Sequence, residues 1–226
     1  MQLFDPDDVP SSVPSDRPVL AATAWPTNGH LVEDLVRAGY LNPDDVTLDP
    51  TFGRGTWWSR WKPDVLISHD LRLDGVDFRH LPEVDESIDV VAFDPPYVPQ
   101  GGTTFTGSKM TEDRDRYGLE DGPTSLPELE DLIFGGMGEA LRVLRRGGRL
   151  LVKCQSFRHG RVFRPMPTRI VNHAETIGFR ILDEMIHLRR PGPISVETRR
   201  PRRNHSTLLI FEKPRSPSRD ARRLTT

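Results

Sequence analysis

The order of helical and strand patterns predicts an α/β fold, with a doubly wound and mostly parallel β-sheet carrying helices on both faces. Short apolar runs alternate with segments of helical periodicity, and this alternation is typical of parallel strands joined by right-handed crossovers. The run at residues 88–93 is apolar enough to be buried on both faces. The unusual residues also fall directly after predicted strands, where sheets of this kind bind their ligands.

The first half of the chain predicts a long helix, a brief helix and three strands. Residues 30–40 place leucine and valine side chains on one helical face, and Gly39 marks the C-terminal end of that helix. A glycine-rich turn, Gly53-Arg54-Gly55, follows the first strand. The predicted strands are residues 46–49, 65–69 and 88–93, and the brief helix is residues 56–61.

The second half opens with a long polar segment, residues 98–124, which has little core-forming material and predicts a functional or mobile loop. Ser125 and Glu128 have the spacing of a capping box and predict a helix that ends at Gly147 and Gly148. The remaining predicted elements are a strand at 149–154, a helix at 168–177 closed by Gly178, a strand at 179–188 and a final strand at 206–211.

The length and composition favour one domain. A chain of 226 residues with 35% hydrophobic residues can bury a single core. We expect a flexible N-terminal arm at residues 1–18, a folded domain at 19–213 and a disordered basic tail at 214–226. No apolar run approaches the length of a membrane span, and the acidic N-terminus does not resemble a signal peptide. The single cysteine, Cys154, excludes an internal disulfide framework, so we expect a cytoplasmic protein.

The charge is divided unevenly along the chain. The formal net charge is -2, but residues 1–140 hold 10 basic and 27 acidic residues, whereas residues 141–226 hold 21 basic and 6 acidic residues. A basic half of this kind is typical of a surface that binds phosphate. Alternatively, the two half-surfaces simply neutralise each other in the folded domain. The charge pattern alone does not separate these interpretations.

A candidate nucleoside site follows the first two strands. The segment from Asp49 to Thr56, with Pro50, Gly53 and Gly55, begins where the first strand ends, and its glycines allow the backbone to approach a ligand closely. Trp58 stands where a dinucleotide fingerprint needs a small residue, which argues against NAD and FAD. Asp70 ends the second strand and can accept hydrogen bonds from ribose hydroxyls, and the following Asp77 and Phe78 could hold an adenine ring.

The most specific signal is the tetrapeptide Asp94-Pro95-Pro96-Tyr97, directly after the buried third strand. The two prolines restrict the backbone, so that the Asp94 carboxylate and the Pro95 carbonyl can act as a rigid pair of acceptors. Tyr97 supplies a flat ring beside them. Such a site suits a planar ligand with an NH2 group, whose two N–H donors the acceptors satisfy.

Together, the glycine turn, the acid after the second strand and the Asp-Pro-Pro-Tyr motif resemble the S-adenosylmethionine-dependent amino-methyltransferases, specifically the adenine-N6 DNA methyltransferases. The resemblance implies a Rossmann-like class I methyltransferase fold with a mostly parallel seven-stranded sheet and an antiparallel last strand. It also implies S-adenosyl-L-methionine as the cofactor. The implied cofactor-binding residues are Pro26, Thr27, Asp49, Pro50, Gly53, Gly55, Thr56, Asp70, Asp77 and Phe78, and the implied catalytic residues are Asp94, Pro95, Pro96 and Tyr97.

Arginines of the basic half are the candidate nucleic-acid contacts. If the last strand runs antiparallel beside residues 179–188, their connection lies at the same edge as the Asp-Pro-Pro-Tyr motif, as do the arginines after the strand that ends at Cys154. The expected DNA contacts in the connection are Arg189, Arg190, Arg199, Arg200, Arg202 and Arg203, and those after Cys154 are Arg158, Arg161 and Arg164.

Several alternatives stay open at the level of the sequence. The acceptor could be cytosine N4, or guanine N2 in an RNA, since tRNA methyltransferases of that type share a similar arrangement of motifs. The chain could also be a catalytically silent nucleic-acid-binding module. No target-recognition domain is recognisable, so base recognition would come from residues 98–124, from the arginines or from a specificity partner. The seven histidines lack metal-ligand spacing, and no metal site is predicted. Cys154 and the tryptophans at 57, 58 and 61 are expected to be core residues.

Overall fold

The computed structural model describes residues 25–99, 102–103, 123–159, 162–188 and 205–215. It contains three α-helices, one short 3-10 helix and nine strands within those ranges. The helices are α1 (Asn28–Arg37), α2 (Leu126–Val143) and α3 (Met166–Ile177), and the 3-10 helix is Thr56–Trp58. The strands are β1 (Val46–Asp49), β2 (Val65–Ser68), β3 (Ile88–Phe93), β4 (Gly102–Thr103), β5 (Leu144–Cys154), β6 (Phe157–His159), β7 (Val162–Arg164), β8 (Arg180–Leu188) and β9 (His205–Glu212).

Six strands form the main sheet, in the order β2-β1-β3-β5-β9-β8. The pairs β1·β2, β1·β3 and β3·β5 are parallel. Strand β9 is antiparallel to both of its neighbours. The predicted α/β class, with a mostly parallel sheet and an antiparallel last strand, is therefore confirmed. The described residues provide six strands to this sheet rather than the seven expected, because the chain between β2 and β3 runs through turns without pairing.

The two faces of the sheet bury separate hydrophobic clusters. On one face, Phe93, Val152 and Phe211 pack with side chains of α2 and α3. On the other face, Val90 and Leu151 pack with α1 and the tryptophans of the 3-10 helix. This alternation follows from the period of two along a strand. The expected core positions of Trp57, Trp58, Trp61 and Cys154 are confirmed, since all four are buried.

Helix α2 begins as predicted but ends earlier. The Ser125 hydroxyl accepts a hydrogen bond from the backbone N–H of Glu128, and Pro127 lies in the first turn. The helix ends at Val143, four residues before the predicted glycine stop, and Leu144 already pairs with Ile88 of β3. The register with β3 then shifts before Arg149, and Gly147 occupies this irregularity with a φ of +81°. Gly147 therefore serves a bulge within β5, a role that sequence periodicity does not distinguish from helix termination.

A second, smaller sheet was not predicted from the sequence. Strands β4, β6 and β7 form it, in that antiparallel order. Strand β6 begins three residues after β5 ends, and β4 follows the Asp-Pro-Pro-Tyr motif after a short connection. Each strand has two or three residues, which is too short for an alternating pattern to be recognised. Among the described residues, no helix is long and apolar enough to cross a membrane.

Candidate active site

The parallel strands bring the predicted site to one edge of the sheet. Strand β1 ends at Asp49 and β3 ends at Phe93, immediately before Asp94, and the two strands are neighbours. Asp70 follows β2, which is the other neighbour of β1. Because parallel strands end at the same edge, three acids that are far apart in sequence lie at adjacent strand ends.

The turn after β1 has the backbone that its glycines predict. Gly53 and Gly55 have φ angles of +55° and +64°, in the left-handed region that favours glycine. The Gly53 N–H donates to Asp70 Oδ2 at 3.1 Å, so the acid after β2 is tied directly to the turn after β1. Asp70 Oδ1 also accepts a hydrogen bond from the Arg72 N–H. The structure thus brings the glycine turn and Asp70 together.

Asp49 is buried at the start of this turn. Its carboxylate accepts hydrogen bonds from the Trp58 indole N–H at 2.8 Å and from the Thr51 N–H at 3.0 Å. Burial raises the pKa of Asp49, hydrogen bonds from Trp58 and Thr51 lower it, and the nearby charge of Asp94 raises it, which gives a net pKa of about 7. Asp49 thus titrates within the neutral range.

Thr51 joins the glycine turn to the Asp-Pro-Pro-Tyr motif. Its hydroxyl donates to Asp49 Oδ1 at 3.2 Å and accepts a hydrogen bond from the Asp94 N–H at 2.9 Å. One side chain therefore fixes the position of the motif relative to the turn. The sequence did not indicate this role, because Thr51 and Asp94 are 43 residues apart.

The Asp94 carboxylate is half-buried and already hydrogen-bonded. The Trp57 indole N–H donates to Oδ2 at 3.0 Å, and the Tyr97 hydroxyl donates to Oδ1. Pro95 and Pro96 are buried, whereas Tyr97 is half-buried and its ring packs against the cluster on the α2 side of the sheet. An ionised carboxylate offers about four acceptor positions, so two donors leave capacity for a ligand.

Lys153 also lies at this edge and was not predicted from the sequence. It lies one residue before the end of β5 and is 1% exposed. Its ammonium contacts Asn28 Oδ1 at 2.5 Å and lies 5.8 Å from the centre of the Trp57 ring. The available signal was a lysine placed directly after the apolar run 150–152 of this strand, because a charged side chain is rarely fully buried.

The predicted adenine-binding pair, Asp77 and Phe78, makes contacts of its own. Asp77 forms an ion pair with Arg79, whose hydrogen bonds lower the pKa of that carboxyl. Phe78 packs edge-on against Phe93 with the ring centres 5.1 Å apart. A β-carbon on Gly136 of α2 would lie 2.8 Å from the Phe78 ring. The Phe78 ring therefore contributes to packing between α2 and the sheet.

The segment predicted to close over the cofactor lies at the start of α1. Pro26 and Thr27 are exposed, and Thr27 is the N-cap of α1, with its hydroxyl 2.8 Å from His30 Nδ1. The preceding Trp25 carbonyl lies 2.8 Å from Nε2 of His187, near the end of β8. Since β8 is parallel to β5, this segment lies at the same edge as Asp94.

Pro50 and Thr56 complete the glycine turn, where Pro50 is buried and Thr56 is exposed. The six arginines predicted to contact nucleic acid between β8 and β9, Arg189, Arg190, Arg199, Arg200, Arg202 and Arg203, lie outside the described residues. Within the described ranges, no group of three or more histidine, cysteine or acidic side chains is arranged to hold a metal ion.

Comparisons with known proteins give no family. No protein-family model matches the chain, and no curated protein matches it. The chain is similar to the solved structure of TrmN from Thermus thermophilus, with 18% identity over 81% of this chain and 48% of that chain and a TM-score of 0.47. A candidate methyltransferase from Bacillus halodurans C-125 shows 14% identity over 81% of this chain and 98% of its own length, with a TM-score of 0.48.

A candidate DNA modification methylase, also from Thermus thermophilus and crystallised with S-adenosyl-L-methionine, is 21% identical. That match covers 66% of this chain and 59% of the other chain, with a TM-score of 0.42. The chain therefore spans less than two thirds of the length of this methylase. All these identities and TM-scores are too low to assign an activity to this chain.

Proposed function

We propose that this chain is an S-adenosyl-L-methionine-dependent methyltransferase that methylates the exocyclic amino group of a base extruded from DNA, with adenine N6 as the acceptor. The observation that supports it is the junction at Thr51. This side chain contacts both Asp49, at the start of the glycine turn, and the backbone of Asp94. A methyl donor bound at the turn and an amino group bound at Asp94 would then be neighbours, as group transfer requires.

The glycine turn fits a nucleoside cofactor. Gly53 presents no side chain toward Asp70, and a β-carbon there would lie 4.0 Å from Asp70 Oδ2 and 3.8 Å from the Thr51 carbonyl. These are ordinary van der Waals distances, so the turn needs glycine for its φ of +55°, and the adjacent Asp70 carboxylate can accept ribose hydroxyls. Asp49, Gly53 and Gly55 would hold the methionine part. When bound, the cofactor supplies an electrophilic methyl group on a sulfonium.

The protein's part of the reaction lies at Asp94. An exocyclic amino nitrogen is a poor nucleophile, because its lone pair is delocalised into the ring. Hydrogen bonds from its N–H groups to the Asp94 carboxylate and the Pro95 carbonyl favour a tetrahedral nitrogen whose lone pair is available. Since Trp57 and Thr51 fix Asp94 before substrate binds, little reorganisation is needed at the moment of transfer.

Tyr97 would stabilise the extruded base. Taking a base out of the duplex costs a few kcal/mol, and stacking on an aromatic ring offsets part of that cost. The Tyr97 hydroxyl contact with Asp94 keeps the ring beside the acceptor in the free protein. The aspartate at the first position of the motif is the feature on which the adenine assignment rests.

The test is to incubate the protein with S-adenosyl-L-methionine carrying a labelled methyl group and either duplex DNA or RNA, followed by digestion and identification of the modified nucleoside. Labelled N6-methyladenine from DNA is expected. N4-methylcytosine, or N2-methylguanine from RNA, would replace the adenine assignment with one of the two alternatives. Binding of nucleic acid without any transfer would favour the catalytically silent module.

The substitution Asp94→Ala is expected to reduce transfer by at least about a thousandfold, because it removes the acceptor of the amino group. Its affinity for S-adenosyl-L-methionine, measured by calorimetry, should stay within about threefold of the wild type. The matched control is Asp131→Ala, which removes an exposed carboxylate from α2. Near-normal turnover of the Asp94 variant would refute the assignment.

A further inference from the structure

Strands β6 and β7 form a hairpin that follows the end of β5, at the sheet edge that carries the candidate active site. Phe157, its first residue, is buried in the same cluster as Phe93 and Val98, which flank the Asp-Pro-Pro-Tyr motif. The other neighbour of β6 is β4, whose Gly102 pairs with His159. The hairpin is thus held on one side by the end of β5 and on the other by the chain that leaves the motif.

The charged side chains of the hairpin all carry the same sign. Residues 155–165 contain three arginines and a histidine and no acidic residue. Two of these arginines lie in the described strands, Arg158 on β6 and Arg164 on β7. The Arg164 Nε is buried and has no hydrogen-bond partner among the described residues. A positive hairpin beside a catalytic edge is complementary to a phosphodiester backbone.

Two large apolar side chains are exposed among these charges. Val162 is 49% exposed and Phe163 is 37% exposed. Phe163 lies directly opposite Arg158 in the register, and Val162 lies opposite His159. A hydrophobic core explains neither position, whereas an aromatic side chain next to an arginine is well suited to a nucleic acid, where bases stack and phosphates pair.

We propose that the β6–β7 hairpin contacts duplex DNA beside the extruded base. Arg158 and Arg164 contact backbone phosphates, and Phe163 packs against the bases next to the vacated position. This inference rests on the proposed function, because it takes the Asp94 edge as the place where the base is bound.

The test measures binding of a fluorescein-labelled duplex DNA of randomised sequence by anisotropy across a range of salt concentrations. The double variant Arg158→Gln/Arg164→Gln is expected to bind at least about tenfold more weakly. The slope of log K against log salt should also become less steep, by the amount expected for the loss of about two phosphate contacts. The charge-conserving pair Arg158→Lys/Arg164→Lys should retain most of the affinity. Phe163→Ala should weaken binding by about tenfold, whereas Phe163→Tyr, which keeps an aromatic ring, should bind about as tightly as the wild type.

The matched control is Arg145→Gln/Arg146→Gln, which removes the same charge at the opposite edge, near the start of β5. Its affinity should stay within about threefold of the wild type. Unchanged DNA binding by the Arg158 and Arg164 glutamine pair would overturn the proposal, as would tighter binding of duplex RNA than of duplex DNA by the wild type.

Each variant is also melted and titrated with S-adenosyl-L-methionine. If the glutamine double variant does not fold, the single variants Arg158→Gln and Arg164→Gln provide the test. Each should make the slope of log K against log salt less steep, by the amount expected for about one phosphate contact. The failures are separable. A wrong hairpin assignment leaves methyl transfer intact and DNA affinity insensitive to these variants, whereas a wrong proposed function abolishes transfer and cofactor binding in the wild type itself.

Discussion

At the scale of single residues, two adjacent tryptophans organise the two acids of the site. The Trp57 indole donates to Asp94, and the Trp58 indole donates to Asp49. Because the two residues lie in one 3-10 turn, their indole groups reach two neighbouring strand ends. The sequence predicted that both are core residues, which is correct, but burial alone did not reveal that each holds a carboxylate in place.

Because Trp57 and Trp58 hold different acids, substituting them should affect turnover and cofactor binding differently. Trp57→Phe removes the donor to Asp94 and should lower turnover by about tenfold to a hundredfold with little change in cofactor affinity, since a hydrogen bond to a charged group contributes about 1.5–3 kcal/mol. Trp58→Phe removes the donor to Asp49, so it should weaken cofactor binding and lower the free energy of unfolding. Steady-state kinetics and denaturant melts of both variants check this. An identical profile for the two would contradict it.

At the scale of elements, a histidine fixes the loop between β2 and β3. His69 Nδ1 lies 2.6 Å from Asp74, and His69 Nε2 lies 2.8 Å from Glu83. The His69 backbone also bonds to Asp49 and Phe52 of the glycine turn. Burial lowers the pKa of His69, but the hydrogen bonds and charges of Asp74 and Glu83 raise it by more, so the net shift is upward from 6.5.

A raised histidine pKa gives a definite sign for the pH dependence. The contacts of His69 with Asp74 and Glu83, here called the clamp, stabilise the folded protein. This stability is fully present below the pKa of the histidine in the unfolded chain and is lost as the pH rises through its pKa in the folded protein. We therefore expect amide exchange in residues 69–83 to accelerate above that pH, and NMR titration should give His69 a pKa above 6.5. His69→Gln should remove the pH-dependent part of the protection, while His80→Gln, an exposed histidine of the same loop, should not. A His69 pKa below 6.5 would refute the clamp.

At the scale of the whole molecule, one core cluster on each face of the sheet positions a site that lies at its edge. Asp49 ends the buried strand β1 and is itself only 4% exposed. Burial there raises the pKa of Asp49, so this carboxyl keeps its proton to a higher pH than in the unfolded chain. The site thus affects the stability of the entire domain.

Asp49 makes this effect measurable. Its folded pKa of about 7 lies above the value of 3.8 for the unperturbed group, so its contribution is fully present below pH 4 and is lost as the pH rises to about 7. Asp49→Asn removes this titration. The unfolding free energy of the variant relative to the wild type should therefore rise between pH 4 and pH 8, by on the order of a few kcal/mol. Guanidinium melts across that range check it, and parallel profiles for the two proteins would show that Asp49 ionises normally.

Much of the fold followed from local patterns. Strands β1 and β3 lie where alternation and apolar runs predicted them, and the N-terminal end of α2 lies where Ser125 and Glu128 predicted it. Gly53 and Gly55 have the positive φ angles that a tight turn demands. These features depend on residues close in sequence, so a single chain is sufficient to reveal them.

The sequence by itself determined the α/β class, the strand ends and the order of chemical groups that follow them. Only the tertiary structure decided which of those groups meet: Thr51 with Asp94, Trp57 with Asp94, Lys153 with Asn28, and β4 with β6. The physical reason is that periodicity and turn chemistry are local, whereas these contacts join segments tens of residues apart, whose proximity depends on how the whole sheet orders its strands.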